Sequence, residues 1–260
     1  MKRLASLVPL LFILFPIRLI GQSTSANDPA AVSLAQQSVA ALTGSVSISD
    51  VTLTANVTAT WGPSSETGTA TFRASGTSEG RVDLNLSDVT RSDVRNSTNG
   101  VPAGAWVVNG GTATPYALHN CWTDAAWFFP ALSSLAQTAN SSFVFKYIGQ
   151  VQYEGVNAQH VQVFQVPPGG ITLFQQLSTI DFYLNAATLL PYAVTFNVHP
   201  DGNAGMNLPV EVDFSNYQVI QGVVVPMHVQ RYQQGALMLD ATIQTVLLNQ
   251  GLTSSAFSIN

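Results

Sequence analysis

Along most of the chain, apolar and polar residues alternate with a period of two. Val51, Leu53, Ala55, Val57, Ala59 and Trp61 interleave with Thr52, Thr54, Asn56, Thr58 and Thr60, the signature of a strand with one buried and one wet face. The same rule puts Ala70, Phe72 and Ala74 on one side, and Val82, Leu84 and Leu86 opposite Arg81, Asp83, Asn85 and Ser87. Further strands are predicted at 105–108, 143–148 and 158–166. A run of hairpins follows, with apolar faces at Val194/Phe196/Val198, Val210/Val212/Phe214, Val223/Val225/Val229 and Leu237/Leu239/Ala241/Ile243. The total is about eleven strands.

Helical spacing is confined to three places. Val32, Ala35, Val39 and Leu42 follow one helix face, with Asn27 or Asp28 to cap it, Pro29 at its first turn and Gly44 to stop it. The stretch 119–139 carries Trp122, Trp127, Phe128, Phe129, Leu132 and Leu135 at mixed helical spacing and predicts two short helices divided at Pro130. After the break Pro167-Pro168-Gly169-Gly170, a short apolar helix is expected over 172–177. No helix of ordinary length separates successive strands, which excludes a parallel doubly wound sheet and predicts an antiparallel, mostly β chain of the α+β class.

The first 21 residues read as a signal peptide: Lys2 and Arg3, then an apolar stretch from Leu4 to Ile17, then small residues from Gly21 to Ala26. No cysteine follows for lipid attachment, and no later segment offers 18 uninterrupted apolar residues. A periplasmic or secreted protein without a transmembrane anchor in its mature chain is expected, with residues 28–260 forming one domain.

Composition narrows the function further. Charged residues make up 9% of the 260, against about a quarter in an average soluble protein. Without the leader, six basic residues face fourteen acidic ones, a net charge of −8, and Lys146 is the one lysine left. Phosphate-backbone binding needs clustered cations, so a nucleic-acid partner is disfavoured. The single cysteine, Cys121, excludes an internal disulfide and reads as a small buried hydrophobe.

Catalytic signatures are weak. Gly76-Thr77-Ser78-Glu79-Gly80 matches a nucleophile elbow in letters only, because strands flank it on both sides where the elbow needs a helix after it. His119, His160, His199 and His228 lack the paired spacing of a zinc site, and no phosphate loop or dinucleotide fingerprint occurs. No cofactor, metal or catalytic residue is expected. Arg73 and Arg81 read as members of a solvated strand face.

The last third carries a recognisable order of phrases. Asp181-Phe182-Tyr183-Leu184-Asn185-Ala186-Ala187-Thr188-Leu189-Leu190-Pro191 is followed by Phe214-Ser215-Asn216-Tyr217, by Gly222-Val223-Val224-Val225-Pro226, and by Val246-Leu247-Leu248-Asn249 with Leu252 and Phe257. Over residues 181–257 this resembles the LolA-like family of outer-membrane lipoprotein carriers. The resemblance implies a strongly curved antiparallel sheet, an incomplete β-barrel whose concave face is covered by a few helices, with acyl chains bound between. The family's ligand-regulating arginine has no clear counterpart here.

On that basis the chain is expected to be a non-enzymatic extracytoplasmic protein that holds a lipid or the acyl chains of a lipoprotein, and an envelope protein is a further partner to consider. The expected pocket and lid residues are Trp106, Trp122, Trp127, Phe128, Phe129, Leu132, Leu135, Phe174 and Leu177. Two rivals stand beside this reading: a sensor or protein-interaction module on the same sheet with a filled core, and a secreted β-sandwich hydrolase.

Overall fold

The computed structural model of the protein describes residues 26–166 and 172–258. The expected signal peptide and the break at 167–170 lie outside the described residues. The chain opens with helix α1 (Pro29–Thr43) and then lays down β1 (Asp50–Trp61), β2 (Ser64–Ser75), β3 (Glu79–Leu86), β4 (Thr90–Thr98), β5 (Val101–Val108) and β6 (Thr114–Pro115). After an irregular crossing segment come β7 (Phe143–Tyr153), β8 (Val156–Gln165), helix α2 (Thr172–Ser178), β9 (Ile180–Asn185), β10 (Pro191–Val198), β11 (Leu208–Ile220), β12 (Val223–Gln233) and β13 (Ala236–Leu248).

All thirteen strands join one open sheet in the order β6-β5-β4-β3-β2-β1-β13-β12-β11-β10-β9-β8-β7. The chain walks outward from the centre to one edge, crosses over the sheet, and walks back from the other edge until β13 pairs antiparallel with β1. The result is a curved, mostly β structure of the α+β class that does not close into a barrel. Tight hairpins set the register; between β11 and β12 both Gln221 and Gly222 have positive φ, 53° and 84°, the two-residue turn whose twist matches the strands.

The two faces of the sheet differ sharply. Val51, Leu53, Phe72, Phe182, Val212, Val225 and their neighbours turn to the concave side and are buried. Helix α1 lies over that side, capped by Asp28, whose carboxylate accepts from the Ala30 N–H, and stopped at Gly44 with φ 56°. Its innermost residues are Ala31, Ala35, Ser38 and Leu42, while Val32 and Val39 flank the contact. The buried line is therefore rotated by part of a turn from the expected one, because small alanines allow closer approach to the sheet than valines. Just before the helix, the Asp28 N–H donates to the Phe145 carbonyl at 2.9 Å and the Asn27 side chain accepts from the Phe145 N–H at 3.0 Å. The start of α1 is thereby clasped to edge strand β7.

Two expectations are corrected. Among the described residues the sheet has thirteen strands where about eleven were expected; β4 and the two-residue β6 escape the alternation rule because neither carries an apolar face. Residues 121–139 contain no α-helix, only 3₁₀ turns at Pro130–Leu132 and Ser134–Gln137. Pro130 begins the first of these turns and the Ser133 side chain caps the second, so the segment crosses the sheet as an irregular strap.

Candidate functional site: a charged cavity under the strap

The strap and α1 cover the concave face unequally. Beneath α1 the space is filled: Phe128, Phe129 and Leu135 are each at most 1% exposed, and Phe72 meets Phe128 with ring centroids 5.1 Å apart. Leu132 and Leu177 are buried as well, and Phe174 packs edge-on against Trp122 at 4.7 Å. Six of the nine expected pocket residues therefore serve the packing of the core and its cover: Phe128, Phe129, Leu132, Leu135, Phe174 and Leu177. Trp122 faces a smaller cavity of about 300 Å³ on the other side of the strap.

Away from α1 the concave face is open. A cavity of about 430 Å³ lies there, within the range of roughly 300–1,000 Å³ that accommodates small-molecule ligands. Trp61 of β1, Trp106 of β5, Trp127 of the strap and Phe196 of β10 supply aromatic walls, so the expected residues Trp106 and Trp127 do meet at one site. The remaining wall is charged. Strand β4 sends Arg91, Asp93 and Arg95 inward, as its register opposite Leu84, Val82 and Gly80 of β3 requires. Strand β12 adds Arg231, two residues beyond Val229 on the same face.

These charges are organised differently. Arg91 grips Asp93 with two hydrogen bonds, 2.7 and 2.8 Å, and its guanidinium lies 4.8 Å from the Trp106 ring centroid and 5.5 Å from that of Trp61. The Tyr116 hydroxyl donates to the same aspartate. Burial, with the Asp93 carboxylate beside it, holds that phenol well above its ordinary range. Arg95 donates to the Thr123 carbonyl at 3.1 Å. Asp124, on the strap, accepts from the backbone N–H and hydroxyl of Ser134; burial nonetheless pushes its carboxyl up to about 6. The Arg231 guanidinium sits 5.1 Å from the Trp127 ring centroid, and its Nε is buried without a hydrogen-bond partner.

A polar clamp ties the strap to the far wall. The Asn120 side chain donates to the His199 carbonyl and accepts from the His199 N–H, both at 2.7 Å. His119 adds a contact from its Nε2 to the Pro200 carbonyl at 3.1 Å. Two of the four histidines thus serve loop docking, while His160 and His228 pair with Asp181 and Asp240 on strands. Arg73 and Arg81 both bind Asp83 on the convex face, where Arg81 also donates to the Ser258 carbonyl of the tail. Gly76 to Gly80 form the β2–β3 turn and the start of β3.

The convex face gathers Glu154, Glu211 and Asp213 with ligand oxygens within 4.8 Å of one another. Burial, with Glu211 and Glu154 beside it, raises the Asp213 carboxyl to about 7. These carboxylates lie on the opposite side of the sheet from the cavity.

No protein-family model and no curated protein matches the sequence. Solved structures do match in three dimensions. A domain described as an outer membrane lipoprotein-sorting protein from Vibrio parahaemolyticus superposes with a TM-score of 0.58 at 13% identity, over 88% of this chain and 96% of the other. A DUF1329 family protein from Desulfovibrio piger gives 0.56 at 12%, covering 88% and 96%. A LolA superfamily protein from Nitrosomonas europaea gives 0.55 at 9%, covering 88% and 97%. At such identities the likeness speaks for the fold alone, and it extends well beyond the last third in which the sequence resemblance lay. The chain has the LolA-like fold.

Proposed function

We propose that the protein is an extracytoplasmic, non-enzymatic binding protein that holds a hydrophobic ligand, a lipid or an acyl chain, in the cavity beneath the strap. The observation that carries this reading is the 430 Å³ space left on the concave face of a LolA-like sheet and walled by Trp61, Trp106, Trp127 and Phe196. Each methylene moved from water into such a wall contributes about 0.8 kcal/mol. Release follows movement of the strap, which lacks a regular helix and is held at its far end by the Asn120–His199 clamp. An export signal at 1–21 fits this setting, and among the described residues no helix is long and apolar enough to cross a membrane.

In this reading Trp106 and Trp127 touch the ligand, while Phe128, Phe129 and Leu135 anchor the strap. The test is native mass spectrometry of protein purified from its own extracytoplasmic fraction, followed by solvent extraction and lipid analysis. A stoichiometric lipid adduct that is lost when Trp127 is replaced by Glu is the expected result; a ligand-free mass that persists after incubation with lipids sinks the reading. The filled space beneath α1 favours a second reading, a protein-interaction module on the same sheet, which the ligand-free outcome would select.

A further inference from the structure

After the leader the sequence has five arginines, and three of them, Arg91, Arg95 and Arg231, line one cavity. Arg91 is neutralised there by Asp93 at 2.7 Å. Among the described residues neither Arg95 nor Arg231 forms an ion pair, and Arg95 is satisfied only by the Thr123 carbonyl. Arg231 is less satisfied still: its Nε is buried without a partner, and its guanidinium lies over the Trp127 ring. Two other carboxylates border the space. Asp201 is exposed at the rim, and Asp124, whose charge Arg95 also feels, is engaged by the N–H and hydroxyl of Ser134.

A guanidinium taken out of water without a counter-charge is costly. Burial depresses the basicity of Arg231, with Arg91 and Arg95 adding to the effect and Tyr116 and Asp93 opposing it. An anion would supply that counter-charge, and apolar side chains stand beside the arginines: Trp127, Phe196 and Leu239 border the same space. We propose that the cavity selects an amphiphile with one acidic head group, a carboxylate or a phosphate, seated on Arg231 and Arg95 with its apolar chain against Trp127 and Phe196. This rests on the ligand-binding reading above and specifies the class of ligand. Forked guanidiniums suit both head groups, because each offers two oxygens to parallel N–H donors.

The test is a titration of the full mature chain, read by the fluorescence of the cavity tryptophans, with decanoate, decyl phosphate and decanol as matched probes and acetate and inorganic phosphate as chainless anions. Both acidic amphiphiles are expected to bind about ten-fold or more tightly than decanol, as charge-assisted hydrogen bonds imply. Arg231→Gln is expected to abolish that preference while decanol binding is retained. Equal affinity for decanoate and decanol overturns the head-group assignment and leaves the hydrophobic-ligand reading standing. Binding of none of the three chains overturns both. Displacement of decanoate by inorganic phosphate or acetate at comparable concentration makes the site one for free anions and also overturns the assignment. Should Arg231→Gln fail to fold, Arg231→Lys and the wild-type preference for acid over alcohol still decide the matter.

Discussion

At Gly80 the strap passes close against β3, which offers a sharp test of how the cavity's cover is held. A Cβ built at Gly80 would lie 2.2 Å from the Ala125 carbonyl oxygen and 2.7 Å from its carbon. Ordinary contact begins at 3.4 Å, so the strap must lift by about 1.2 Å to admit one methyl group. It cannot lift freely, because Ala126 and Phe128 behind Ala125 are buried, and Phe128 and Trp127 both bear on Phe72. Overpacking of this kind costs about 1–3 kcal/mol, and the loss of glycine's freedom in the unfolded chain returns about 0.4–1 kcal/mol. Gly80→Ala should therefore destabilise by about 1–2 kcal/mol, which for a chain of this size lowers Tm by roughly 2–8 °C. Urea denaturation followed by tryptophan fluorescence reads this as a lower midpoint at unchanged slope. Gly202→Ala is the control, since a Cβ there meets nothing within 4 Å. If Gly80→Ala is as stable as Gly202→Ala, the strap does not bear on β3 and the account of its seating is wrong.

Other consequences are open to similar measurement. Phe129→Ala should cost about 3–5 kcal/mol and Leu135→Ala about 2–5 kcal/mol in the same assay, as expected for emptying a filled core. Asp50 accepts from the N–H groups of Gln250 and Gly251 at 2.8 and 3.0 Å and ties the tail to β1. Asp50→Ala should cost about 1–3 kcal/mol and expose the segment after β13 to limited proteolysis. Asp124 titrates near 6 in the folded chain against 3.8 ordinarily, so the folded state holds the extra proton between those values. Its contribution to stability is therefore full below about pH 4 and is lost as the pH rises through 6. Denaturation midpoints from pH 4 to 7 should show this fall, on the order of 2–3 kcal/mol, and Asp124→Asn should flatten it.

The alternation of residues sufficed to place β1, β3, β8 and β10 to β13, because each carries an apolar face that only a half-buried strand explains, while β9 was reached only through the family resemblance. It failed at β4 for the reason that makes β4 interesting. Where the rule looks for valine or leucine, this strand carries Arg91, Asp93 and Arg95, and these face the cavity. The signal available was the charge spacing itself: arginine, aspartate and arginine at every second position put three ionisable groups on one strand face. Arg231 was legible in the same way, as the continuation of Val225, Met227 and Val229. Seeing that Arg95 and Arg231 meet required the register of strands on opposite sides of β1, which no local pattern encodes. The aromatic strap was found for its composition and misjudged in its form, since helix-like spacing of Trp127, Phe128 and Leu135 arises equally from a chain bent by Pro130 and Ser133. Gly80 looked like part of a turn motif, and its closeness to Ala125 is a tertiary fact.

The clasp between the start of α1 and β7 has a consequence for the protein's life in solution. An open sheet has two rims of unpaired backbone, and each invites another chain to add a strand. At one rim β6 is two residues long and includes Pro115, which has no N–H to offer. At the other, β7 runs for eleven residues, and Asn27 and Asp28 occupy the N–H and carbonyl of Phe145 in its first half. Two unrelated devices thus guard against polymerisation by strand addition. The second depends on a few residues at the entry to α1, so trimming the chain past Asp28 would leave the sheet and its core in place with a newly adhesive edge.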